Sequence, residues 1–132
     1  MILENIYVRT ACASLITLSA YLFGGVDKLL IALITMMGID FVTGIFKAAV
    51  IKDVRSQRIF VGGVRKTGML LIVAAANLVD KILELGGTLR AISISYFIAN
   101  EGISVLENWA LMGLPIPKKL SVMLGQMKGK DQ

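Results

Sequence analysis

The sequence predicts an all-α integral membrane protein with four transmembrane helices. Its mean hydropathy is +0.77 and 56% of its residues are hydrophobic, well above what soluble domains carry. The apolar residues come in long uncharged runs rather than at helical spacing against a polar background, so they suit lipid better than a water-exposed fold. Basic residues gather between and after these runs, where they meet headgroups. At 132 residues, with no repeat and no linker, the chain reads as one membrane domain over 1–132.

The first run, 10–26, has 17 residues without a charge, follows Arg9 and precedes Asp27-Lys28. A signal peptide would present a cleavage site where Lys28 and a second apolar run follow, so the segment is expected to stay as a helix. Thr10, Ser14, Thr17, Tyr21 and Gly24 recur along it at spacings of three and four, a stripe that lets backbones approach closely. The second run, 29–46, is broken only by Asp40 and at about 1.5 Å per residue reaches roughly 27 Å, enough to cross a bilayer core.

Residues 47–66 are expected to form a basic cytoplasmic loop, with Gly62-Gly63 as a breaker. The third run, 67–79, spans only if it extends through about residue 85, since 13 uncharged residues reach roughly 20 Å. Gly86-Gly87 marks a turn, and a fourth helix over 91–114 ends at Pro115 and Pro117, which lack backbone donors. The tail, 115–132, is short and basic and is expected on the headgroups.

Positive charge then orients the chain. Segments 1–9, 47–66 and 115–132 carry 1, 6 and 4 Lys or Arg, against three in the opposite connections (Lys28, Lys81, Arg90). The positive-inside rule therefore puts both termini in the cytoplasm, with Lys47, Lys52, Arg55, Arg58, Arg65, Lys66, Lys118 and Lys119 setting the topology. The same positions turn the net charge of +5 toward lipid headgroups and away from nucleic acid.

Catalysis has little to work with. Histidine is absent and Cys12 is the single cysteine, so no zinc ligand set, intramolecular disulfide or Ser-His or Cys-His nucleophile can be assembled. No enzyme activity, metal or cofactor is expected.

The informative residues are polar ones stranded in apolar helices. On the fourth helix Ser93, Phe97, Asn100, Ser104, Glu107 and Asn108 fall within about 100° of one another, with Glu101 at the border. A central carboxylate costs about 2.5 to 3.5 kcal/mol on insertion while each large hydrophobe returns about 0.3 to 0.6, so roughly nine good hydrophobes do not outweigh the two carboxylates and this helix inserts poorly alone. It is rescued by protonation, by pairing with Lys or Arg, by contacts between subunits or by a water-filled lumen. A three-span arrangement with the fourth helix lying amphipathic in the interface is the alternative. Asp40, with Thr43, Gly44 and Lys47 on its side of the second helix, poses the same problem. It is either a packing or lumen determinant, or it is capped by Thr43 or paired with Lys47, Arg65 or Lys66. Asp40, Thr43, Asn100, Glu101, Ser104, Glu107 and Asn108 are the expected oligomer or lumen face.

Three motifs carry a resemblance: Gly38-Ile39-Asp40-Phe41-Val42-Thr43-Gly44, then Gly63-Val64-Arg65-Lys66-Thr67-Gly68, then Ala99-Asn100-Glu101-Gly102-Ile103-Ser104-Val105-Leu106-Glu107-Asn108 with Gly113-Leu114-Pro115-Ile116-Pro117. Over about residues 29 to 128 the chain resembles the toxin-secretion and phage-lysis holin family of Gram-positive bacteria and their phages, the C-terminal block being the specific part. The resemblance implies a small phage or prophage protein that gathers into homo-oligomers in the host cytoplasmic membrane. It would open lesions that release an endolysin for host cell lysis, or a large toxin. Two other readings share the pattern. A small proton-coupled multidrug exporter also has four short helices, but resembles this chain less because its acid lies in the first helix, which here has none. A non-lethal antiholin or accessory membrane protein is separated from a holin by expression toxicity.

Overall fold

The computed structural model describes residues 1–127, and these form five helices: α1 (Ile2–Phe23), α2 (Lys28–Val50), α3 (Ser56–Ile82), α4 (Thr88–Leu111) and α5 (Lys118–Met127). Of these, α1, α2 and α3 are long and apolar enough to cross a membrane. The expected fourth span, α4, has the length at 24 residues, but its polar residues keep it out of that set.

The boundaries depart from the sequence reading at three places. Helix α1 begins at Ile2 rather than near residue 10, taking in Glu4 and Arg9. The expected loop 47–66 shrinks to 51–55, because α2 runs on to Val50 and α3 starts at Ser56. Charge density suggested a loop, yet Lys and Arg are good helix formers whose long side chains reach outward, and Gly62-Gly63 is absorbed within a 27-residue helix. The tail carries α5 after Pro115 and Pro117, and α5 packs against α4. Residues 128–132 of that tail lie outside the described residues.

The connections 24–27, 51–55 and 83–87 are short, so α1 to α4 run alternately up and down. Helix α4 sits centrally, with its broadest contact against α2 and a second against α3. Each of these three helices turns one stripe inward at spacings of three, four and seven: Leu30, Leu33, Met37 and Asp40 on α2, Lys66, Val73, Asn77 and Asp80 on α3, and Arg90, Ile94, Phe97, Glu101 and Asn108 on α4. The middle of the stripes packs as an apolar core of Leu33, Met37, Val73, Ile94 and Phe97. Polar layers lie on either side of it. Helix α1 is different: it buries no residue, and its apolar side chains, such as Ile6, Leu15, Ile16 and Leu18, are exposed.

One polar layer ties the helix ends at 24–27 and 83–87 together. The last carbonyls of α1 have no partner within their helix and are satisfied from α3 and α4. Asn77 Nδ2 donates to the Tyr21 and Leu22 carbonyls at 3.1 and 2.9 Å, Lys81 Nζ donates to Tyr21 at 3.2 Å, and Arg90 Nε donates to Phe23. Arg90 further donates to the Gly25 carbonyl and grips Asp27 with two nitrogens at 2.7 and 3.0 Å. Asp27 caps α2 by accepting from Leu30 N, and Asp80 accepts from Gly87 N and Arg90 N at the start of α4. Gly24 must be glycine here: its φ is +79° and an added Cβ would lie 2.5 Å from Asn77 Oδ1 and 2.7 Å from Arg90 Nε.

Hydrogen bonding from the Arg90 guanidinium, then from Leu30 N–H, holds the Asp27 carboxyl down at about 2. Its folded pKa lies below the unfolded value of about 3.9, so its contribution to stability is full above about pH 4 and is lost as pH falls toward 2. Melting in detergent is expected to show this acid limb for the native chain and to lose it in Asp27→Asn. Arg90→Gln is expected to destabilise by roughly 1 to 3 kcal/mol, because several charge-assisted bonds go but Asp27 is half exposed and screened.

Candidate functional site

The second polar layer lies at mid-height of the bundle. Asp40 is 12 residues from the first residue of α2 and 10 from the last, Lys66 is 10 and 16 from those of α3, and Glu101 is 13 and 10 from those of α4. Lys66 Nζ lies between the two acids, donating to Asp40 Oδ2 at 2.7 Å and to Glu101 Oε2 at 2.5 Å. The other oxygen of Asp40 accepts from Asn108 Nδ2 at 3.1 Å, and the same amide reaches Thr43 Oγ1 at 3.1 Å. Thr43 in turn donates to the Asp40 carbonyl. Glu101 is only 2% exposed, so its carboxylate is held by Lys66 and not by water.

The chemistry is that of a buried ion cluster, with one ammonium bridging two carboxylates from two other helices. In hydrocarbon such groups persist only when paired. Since each carboxylate comes from a different helix, the cluster locks the register of α2, α3 and α4 at one height. Of the residues expected on an oligomer or lumen face, Asp40, Thr43, Glu101 and Asn108 are drawn together inside one subunit. Ser104 lines a cavity beside them, Asn100 is half-buried and Glu107 is exposed.

Lys66 was expected to set topology with the other basic residues, and it instead turns inward; among the three partners open to Asp40 it is the one used. Lys52, Arg55, Arg58, Arg65, Lys118 and Lys119 are exposed, and Lys47 is half-buried. Arg55 and Arg58 both contact Asp53, at 2.8 and 2.6 Å. Sequence reasoning missed the layer of Asn77, Asp80, Arg90 and Asp27. A signal was present for Asp80, which follows Lys66 and Val73 at seven-residue intervals and so shares their face of α3. Among the described residues, no group of three or more His, Cys, Asp or Glu is placed to hold a metal ion.

Three helices long and apolar enough to cross a membrane carry this cluster or pack beside it, and comparison with known proteins says what kind of protein this is. The profile of the bacteriophage holin family matches residues 17–129. The chain belongs to the bacteriophage holin family. It is 43% identical over 98 residues to a probable holin of Bacillus phage phi105, covering 74% of this chain and 72% of that one. It is also 39% identical over 132 residues to an uncharacterized 14.9 kDa protein of the nagH 3' region in Clostridium perfringens, covering 97% and 99% of the two chains. An uncharacterized protein of Bacillus subtilis, YqxH, is 38% identical over 112 residues, covering 85% and 79%. No solved structure matches. Holins are not an enzyme family; they are membrane proteins of phage lysis.

In this member of the holin family the ion cluster can be tested by substitution. Lys66→Met leaves two buried carboxylates without a cation and is expected to destabilise the protein by about 3 to 5 kcal/mol. Adding Asp40→Asn and Glu101→Gln to Lys66→Met is expected to recover much of that loss, read by melting in detergent as a coupling between the three positions.

Proposed function

We propose that this protein is a holin that crosses the host cytoplasmic membrane four times, with both termini in the cytoplasm, and assembles into lesions that release an endolysin or a large toxin. The observation that carries this reading is the 43% identity to a probable phage holin, within a family match covering most of the chain. The geometry supports it on one specific point. Insertion of α4 is opposed by Glu101, and Lys66 offsets that cost inside the subunit, so α4 can enter the bilayer as part of a preformed bundle. The charge asymmetry across the connections supports the orientation.

Pairing within the subunit also changes what drives assembly. Asp40 and Glu101 do not wait for a neighbouring copy. Glu107, exposed on α4, is the acid left to a second subunit or to water, with Asn100 and Ser104 as the half-buried polar groups near it in sequence. The open apolar length of α1, with its hydroxyl and glycine stripe, supplies a further surface for helix association.

Inducible expression with and without a co-expressed endolysin tests the function. The expected result is a fall in culture density only when endolysin is present, with release of a cytoplasmic marker enzyme at a fixed time. Dye efflux without loss of viability would instead support an exporter, and harmless accumulation an antiholin. Because a charge moved across the field feels about 2.3 kcal/mol per 100 mV, an ionophore added early is expected to advance lysis. Glu107→Gln is expected to delay lysis and weaken cross-linked oligomers while leaving the melting temperature of the subunit close to native.

A further inference from the structure

A cavity of about 200 Å³ lies between the C-terminal half of α2 and the N-terminal half of α3, with Ser104 and Asn108 of α4 behind it. Its floor is the Asp40–Lys66 pair and its mouth is the connection 51–55, where Asp53 accepts both Arg55 and Arg58. Asp53 contacts one nitrogen of each guanidinium, which ties both to the mouth and leaves the other donors of each fork unspent on Asp53; the two side chains remain 69% and 59% exposed. Lys47 joins them on the lining, so this end of the cavity carries three cations against the one carboxylate of Asp53. Below them the walls are apolar, with Phe41, Ile45 and Ile59 each about 40% exposed along the lipid-facing surface. At Gly62 a Cβ would meet nothing within 4 Å, so the groove is open there.

A cationic mouth at the helix ends over an apolar trough toward the bilayer centre has the polarity of one phospholipid molecule. We propose that this groove binds an anionic phospholipid of the surrounding leaflet, its headgroup phosphate on Arg55, Arg58 and Lys47 and an acyl chain along Phe41, Ile45 and Ile59. Arginine forks fit phosphate oxygens bidentately, and the surplus of positive over negative charge favours an anionic lipid over a zwitterionic one. The ligand bridges the two helix ends that the connection 51–55 joins, and so braces α3 against α2 at the leaflet where the basic residues cluster. This needs only placement in a membrane and not lesion formation, so its failure leaves the lytic reading intact.

The full chain, purified in a neutral detergent, is mixed with phosphatidylglycerol, with phosphatidylcholine of the same acyl chains, or with inorganic phosphate. Lipid retained through gel filtration and the melting temperature are then measured. Phosphatidylglycerol is expected to be retained and to raise the melting temperature, and the other two to do neither. Arg55→Gln and Arg58→Gln are each expected to weaken phosphatidylglycerol binding about tenfold. Gly62→Leu keeps every charge, suits a helix and fills the trough, so it is expected to abolish retention even if the arginine variants fold poorly. Lys118→Gln/Lys119→Gln, which removes as much charge from α5 outside the groove, is expected to bind normally. Equal stabilisation by phosphatidylcholine or by inorganic phosphate, full retention by Gly62→Leu, or an equal loss in the α5 variant would overturn the proposal.

Discussion

Everything in this bundle is arranged around one ammonium. Lys66 stands mid-way along α3 and holds a carboxylate from α2 and another from α4, the first half-buried at the floor of the cavity and the second shut off from water. A carboxylate left alone there costs about 2.5 to 3.5 kcal/mol on insertion, which cancels the return of roughly six to eight large hydrophobes. The pairing therefore decides both whether α4 belongs in the membrane and how far it may slide against its neighbours. Once that height is set, Leu33, Met37, Val73, Ile94 and Phe97 meet as a core because they lie one or two turns along the same stripes.

The opposite end of the core is closed by a different device. Where the mid-height cluster neutralises full charges, the layer around Arg90 mostly satisfies backbone: the open carbonyls of α1 and the open amides of α4. In lipid an unsatisfied peptide group is nearly as unwelcome as a charge, so the two layers answer one constraint in two forms. Between them they hold four helices with a rather small apolar core.

Much of this was legible in the residues and some was not, for physical reasons. The apolar runs announced α1 and α2 directly, and Glu101 and Asn108 stood out as polar positions needing partners. The start of α3 was misjudged because a string of Lys and Arg reads as a solvated loop, although a helix can carry such side chains on an outward face. The partner of Glu101 was hidden because it lies 35 residues away and only tertiary packing brings Lys66 to it. Arg90 and Asn77 were hidden for the same reason, since capping of one helix by side chains of another leaves no local signature, whereas Asp80 lies on the seven-residue repeat of Lys66 and Val73.

Helix α1 stands apart from this scheme. It is fastened by its final carbonyls and by Gly24, and no side chain along its 22 residues is buried. The family match begins at residue 17, close to where that fastening starts. The first four turns of α1 therefore have no cover from their own subunit and depend on lipid, or on the helices of a neighbour, to clothe their apolar side chains.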